Sequence, residues 1–255
     1  MIIEQRDTRL KYPLAIKDDK IRIVLDWLLE FRFSSLDILS ARLGQSTVNA
    51  NRFFNALLTS GVIQAFKNVH TKNQRYVILT SAGVSYLEAL GRDISIAATR
   101  VANLGRYSQI VHDLSVQISV LNRVDRYKEV IWDRNITFGT QHDKPDAILK
   151  LEENGAVFWS ALEFERWRKD RKRIYITFYN HAQHIADKYY TGVYYVFQSE
   201  ADCKYYQGLF NEEKWPRFER KTKTGQINPL KTDFVPESIP NIRKRFVFLY
   251  EPVSI

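Results

Sequence analysis

The sequence is poor in several things, and each shortage excludes something. It has a single cysteine, Cys203. Neither a disulfide framework nor a Cys-rich zinc site can form from one thiol. That usage suits a reducing, cytoplasmic setting. Only 10 Gly and 7 Pro occur in 255 residues, with no repeat and no low-complexity tract, so collagen-like and Pro/Gly-rich disordered classes are excluded. No apolar run reaches the roughly 18 residues of a membrane span. The opening MIIEQRDTRLKYPL is too charged to read as a signal peptide. No GxxxxGK[ST] loop is present, so nucleotide hydrolysis has no support.

Acidic residues are missing from one long stretch. Between Ile38 and Leu87 there is no Asp or Glu, yet Arg42, Arg52, Lys67, His70, Lys72 and Arg75 fall there. A surface of that kind attracts phosphate and repels none. The whole chain is basic too, with 38 Lys and Arg against 29 Asp and Glu and a net charge of +9. A polyanionic partner fits that balance. At 45% hydrophobic and 13% aromatic residues, a real core is available. At about 150 residues per domain the length suits one or two domains, with two favoured.

Local patterns place the acid-free stretch on a fold. Residues 18–32 carry Ile21, Val24, Leu25, Leu28 and Leu29 at helical spacing. Ser34 or Ser35 caps a short second helix that stops at Gly44, and Ser46 caps a third that stops at Gly61. VIQAFKNVHTKNQRYVILT reads as two strands with a basic connection at 68–74. Three helices and a two-stranded ribbon in that order predict a winged helix-turn-helix. On the third helix Ala50, Phe53, Phe54, Leu57 and Leu58 make the core side. Val48, Arg52, Asn55 and Thr59, flanked by Asn49 and Asn51, make the opposite side. Arg and Asn suit bidentate reading of guanine and adenine edges in double-stranded DNA. Arg42, Lys67, Lys72 and Arg75 complete the expected DNA-binding set, the last three as phosphate contacts. A protein-protein role for the same module is the alternative. A closing helix and a connector punctuated by Gly83, Gly91 and Gly105 place a domain boundary near residue 100, giving 1–100 and 101–255.

The second half predicts α-β-β-β-α-β-α-β, an α+β domain with a mixed sheet and flanking helices. Its elements are a helix at 106–124, a strand at 129–138 and a hairpin at 144–167 with its turn at Glu152–Gly155. A long helix that is basic at its start, a strand, a helix and a last strand follow. Residues 214–241 read as a long loop before that strand.

Three carboxylates stand out on the hairpin. Asp146 opens one strand, and Glu163 and Glu165, two apart on the next, share a face. Converging carboxylates repel one another unless a cation lies between them, and such oxygen donors suit Mg²⁺ or Mn²⁺. RWRKDRKR at 166–173 follows directly. A metal held by acids beside cations for phosphate is the chemistry of phosphodiester cleavage. A surface salt-bridge lattice is the other arrangement these residues allow. His181 and His184 (HAQH) read as an exposed or hydrogen-bonded pair in preference to metal ligands, Tyr175 and Tyr179 as core or groove aromatics in preference to a nucleophile, and Cys203 as packing.

Pro145-Asp146 followed by Glu163-Phe-Glu165 resembles the signature of the PD-(D/E)xK nuclease superfamily. A winged helix followed by such a restriction-endonuclease-like αβββαβ core is similar to the replication-relaxation proteins and the MobC-type plasmid mobilisation relaxases. The runs HDLSVQISVLN and EFERWRKDRKRIYITFY carry that likeness, which covers roughly residues 18–198. The resemblance implies Asp146 and Glu163 as metal carboxylates, with His112 or Asp113 on the first helix of the core completing the catalytic site. Glu165 stands where the superfamily's usual lysine is. Many members carry that lysine on the next helix, which points to Lys169 or Lys172. Alternatively Glu165 adds a metal ligand. The His-hydrophobic-His strand of the best-known relaxase class is absent. The implied activity is strand nicking at a plasmid transfer origin, alongside other mobilisation or transfer-complex proteins. A non-catalytic DNA-binding plasmid replication or accessory factor is the alternative.

Overall fold

The computed structural model describes residues 13–67, 75–101, 107–123, 125–138, 144–221 and 224–253. The fold is mixed α+β, in two compact units that meet between residues 125 and 126.

The first unit begins with helix α1 (Pro13–Phe31) and the short strand β1 (Phe33–Ser35), followed by α2 (Leu36–Arg42) and α3 (Thr47–Thr59). Strands β2 (Ile63–Lys67) and β3 (Arg75–Leu79) and helices α4 (Ser81–Ala89) and α5 (Tyr107–Leu121) complete it. Local chemistry sets these boundaries. The Ser35 hydroxyl accepts from Ile38 N–H and Ser46 from Asn49 N–H, each satisfying an orphan donor of a first turn. Gly44 (φ 65°) and Gly61 (φ 74°) adopt the left-handed backbone just past two helix ends. The strands form an antiparallel sheet in the order β1-β3-β2. Strand β1 is not anticipated by the sequence, where Ser34 or Ser35 has only a capping role. The α3 core side is as expected for Ala50, Phe54 and Leu57, which are buried, while Phe53 and Leu58 are half-buried.

The boundary falls well after residue 100 because α5 packs with the first unit. Gln117 on α5 accepts from Trp27 Nε1 (3.0 Å) and Ser34 Oγ (2.7 Å) and donates to the Phe33 carbonyl (2.9 Å). A buried amide with three partners ties α5 to α1 and β1.

The second unit holds a five-stranded mixed sheet in the order β10-β7-β6-β5-β4. Its strands are β4 (Tyr127–Trp132), β5 (Ala147–Glu153), β6 (Ala156–Glu165), β7 (Gly192–Phe197) and β10 (Phe246–Tyr250). The first three pair antiparallel, whereas β7 pairs parallel with β6 and β10. Helices α6 (Arg171–Ala186) and α7 (Glu200–Phe210) provide the crossovers that parallel pairing demands. The β5–β6 hairpin turns on Asn154 (φ 51°) and Gly155 (φ 78°), the two positive φ angles that a tight two-residue turn needs. Strand β4 ends at Trp132, earlier than residue 138, because Asp133–Asn135 forms a 3-10 turn.

The core of this unit is aromatic. Phe178 of α6 packs among Tyr195, Tyr206, Phe210, Trp215 and Phe246 with ring centroids 5.3–6.4 Å apart. Trp215 also orders the segment expected as a plain loop. Its backbone pairs with Phe234 and its indole N–H donates to the Phe210 carbonyl (3.0 Å). Beyond it β8 (Phe218–Arg220) and β9 (Ile227–Pro229) form a small ribbon.

Candidate functional site

Strand pleating explains why two glutamates are buried. Ala161, Glu163 and Glu165 of β6 stand on one face, opposite Val193, Tyr195 and Phe197 of β7. That face is covered by the buried side of α6, which includes Ile174, Phe178, His181 and Ile185. Glu163 and Glu165 are therefore only 5% and 4% exposed. A solvent-facing salt-bridge lattice is not what they form. The β5–β6 register pairs Ala147 with Leu162, so Asp146 arrives beside Glu163. The Phe164 backbone N–H donates to Asp146 Oδ2 (2.7 Å).

Each glutamate has its own partner. Lys169 Nζ lies 2.6 Å from Glu165 Oε1. Burial alone would depress the lysine's pKa, but the charges of Glu165, Glu163 and Asp146 outweigh it and push it up. Burial pushes the Glu165 carboxyl up to about 7, against the pull of Lys169 and helped by Glu163 and Asp146. Lys172, the other candidate, is exposed on the first turn of α6.

Glu163 meets a chain of rings. His181 Nε2 is 3.0 Å from Glu163 Oε1, and Nδ1 is 2.6 Å from the Tyr190 hydroxyl. Burial, then the Lys169 charge, drives the His181 pKa down to about 3, so the ring is neutral at pH 7. With Glu163 ionised and therefore only accepting, the His181 proton sits on Nε2 and the Tyr190 hydroxyl donates to Nδ1. His184 Nδ1, 3.0 Å from the same hydroxyl, must then be the donor to Tyr190. The HAQH pair is thus buried and hydrogen-bonded, and reaches the site by way of Glu163. Its signal lay in the helix period, since His181 shares the buried side of α6 with Phe178 and Ile185. Tyr190 carried no such signal because it lies past the end of α6, outside the helix period, and Tyr195 carried none because it meets Glu163 only through the β6–β7 ladder.

His112 and Asp113 lie on α5, in the first unit; Asp113 is buried and accepts from Gln109 Nε2 (2.6 Å). Tyr175 is buried, with its hydroxyl donating to Glu212 and its pKa pushed up to about 12 by burial and then by Glu212. That setting accords with a core aromatic. Cys203 is buried on α7, which accords with packing.

The donor set fits a magnesium-like ion in two respects. Asp146, Glu163 and Glu165 cluster around one lysine and a neutral histidine, more acids than bases in a largely buried place. The Tyr195 hydroxyl, opposite Glu163 in the ladder, is buried without a hydrogen-bond partner among the described residues, a deficit that ion-bound water would relieve. Among the described residues, no three His, Cys, Asp or Glu side chains converge closely enough to cage a metal. Mg²⁺ needs no such cage, since one or two carboxylates, waters and substrate phosphate normally complete its shell. Asp146 and Glu163 would be the two carboxylates in such a shell.

In the first unit, Val48 (80% exposed), Asn49, Asn51, Arg52, Asn55 and Thr59 all stand on the open side of α3. Lys67 and Arg75 are exposed and face each other at the end of the β2–β3 ladder. Arg42 is half-buried, its guanidinium 5.8 Å from the Trp27 ring centre. Lys72 and His70 lie outside the described residues.

No known protein family, curated protein or solved structure matches this chain. No described helix is long and apolar enough to cross a membrane.

Proposed function

We propose that the protein is a DNA-binding, Mg²⁺- or Mn²⁺-dependent endonuclease of the relaxase kind. The first unit, as a winged helix-turn-helix, grips duplex DNA through α3. The second, as a restriction-endonuclease-like domain, nicks one strand nearby. The observation that carries the reading is the Lys169–Glu165 ion pair beside buried Glu163 and half-buried Asp146, a held cation among acids. The plasmid transfer origin as target comes from the sequence resemblance alone.

Each residue then has a task. Asp146 and Glu163 would hold the ion, which when bound polarises phosphate and acidifies a coordinated water. Lys169 stays protonated and faces the negative charge that builds on the phosphate oxygens in the transition state. Glu165 fixes the lysine's position. His181, oriented by Tyr190 and His184, fixes Glu163, as outer partners of metal-binding carboxylates commonly do.

The experiment is incubation of supercoiled plasmid carrying the target site with protein and Mg²⁺ or Mn²⁺. Open circles that vanish with chelator support the reading. Asp146→Ala and Glu163→Ala should abolish them and leave duplex retardation in a gel intact. Undiminished nicking in both variants contradicts it. The non-catalytic DNA-binding factor is favoured by one observation, that both glutamates already have protein partners. Retarded but uncut plasmid under every metal condition would establish it.

A further inference from the structure

The tryptophans of the second unit differ in exposure. Trp132 and Trp215 are buried, but Trp167 is 73% exposed. It lies between β6 and α6, two residues after Glu165 and two before Lys169. This segment is pinned. The Lys169 ammonium holds Glu165, and its backbone N–H donates to the Tyr206 hydroxyl (3.1 Å). The Glu165 carbonyl accepts from Gln198 N–H (3.1 Å), and Asp170 caps α6 through Arg173 N–H (3.1 Å). Arg168 is fixed by Asp202 (2.7 Å) and stacks 4.4 Å over Tyr205. The indole is thus presented on an ordered support, with the Arg166 guanidinium 5.3 Å from its ring centre.

The neighbours decide what such a ring can hold. An apolar protein partner wants a contiguous apolar patch, but Trp167 is flanked by Arg166 and Arg168, with exposed Lys172 a few residues on. A flat aromatic face among cations matches a nucleotide, whose base stacks while its phosphates meet the positive charge. Paired bases inside a closed duplex offer no free face to a side chain approaching from outside.

We infer that Trp167, with Arg166, is a stacking platform for an unpaired nucleotide, so the strand that reaches the acidic cluster is single-stranded or locally opened DNA. This rests on the proposed phosphodiester chemistry of that cluster and names its substrate class.

The test uses the full chain, tryptophan emission and anisotropy, with oligothymidylate and a blunt duplex hairpin as probes. Oligothymidylate should quench the emission. Trp167→Ala should remove that quenching and weaken oligothymidylate binding about tenfold, the scale of one lost base–aromatic stack, while hairpin affinity stays unchanged. Trp167→Phe, which keeps a ring, should recover most of the loss. The platform is overturned if oligothymidylate does not quench, if Trp167→Ala leaves its affinity unchanged, or if both probes weaken equally. Stacking by a protein that never nicks contradicts the nuclease reading alone. Nicking that survives without any Trp167-dependent binding contradicts the platform alone.

Discussion

Lys169 Nζ reaches Glu165 Oε1 at 2.6 Å from four residues along the chain, although the segment between them is not helical. The turn out of β6 brings the ammonium back over the carboxylate that the strand has just buried. A lysine on the segment after the strand can therefore reach an acid that the strand buries.

Removing that ammonium has a measurable consequence. Lys169 holds the Glu165 carboxyl down against burial and the neighbouring acids. Lys169→Met should raise the Glu165 pKa further above about 7, as read by carbon NMR of the side-chain carboxyl in metal-free protein. Nicking should fall by about 100-fold or more, the usual scale for losing one transition-state charge partner. An unmoved carboxyl titration would show that the pair does not exist in solution.

His181 makes a prediction about stability. Its folded pKa, about 3, lies below the ordinary histidine value of 6.5. The unfolded chain therefore takes up a proton first, and the contribution is present above pH 6.5 and lost as pH falls toward 3. The slope from one such proton is about 1.4 kcal/mol per pH unit. Glu165 has the opposite sign. Its raised pKa contributes stability that is full below the ordinary 4.5 and is lost as pH rises through about 7. His181→Asn should destabilise the metal-free protein by about 1–3 kcal/mol at neutral pH, the cost of stranding buried hydrogen-bond partners. That deficit should shrink steadily on acidification below pH 6.5. Denaturant melts of both proteins in chelator at several pH values measure it, and a deficit independent of pH would contradict the neutral, relaying ring.

Gly83 tests the packing of the first unit. A Cβ at Gly83 would collide with the Val62 carbonyl oxygen, where α4 closes on the chain entering β2. The obstacle is backbone and cannot swing away. Gly83→Ala should lower stability by about 1–3 kcal/mol, the range for overpacking, in thermal or denaturant melts. An unchanged midpoint would mean that α4 does not approach so closely.

The helical caps, the glycine stops and the β5–β6 turn were legible because each depends on a few neighbouring residues. The shared face of Glu163 and Glu165 was legible from the two-residue period of a strand. Lys169 was one of two candidates, and only the path of the chain between β6 and α6 separates it from Lys172. Burial of the glutamates was not legible, since it depends on which face of the sheet α6 covers. Nor was the packing of α5, which rests on Gln117 meeting Trp27 and Phe33 some 84–90 positions away. The order of the 214–241 segment was hidden for the same reason, because its anchor is Trp215 against α7 and Phe234.

The central claim is that Asp146 and Glu163 together hold a divalent ion, and Mn²⁺ titration followed by electron paramagnetic resonance asks this without requiring turnover. One saturable site is expected in the wild-type protein, competed by Mg²⁺ and lost in Asp146→Asn and in Glu163→Gln, while both variants keep the wild-type circular dichroism. Saturable binding that survives in both folded variants, or none in the wild type at millimolar Mn²⁺ with or without DNA, would contradict it.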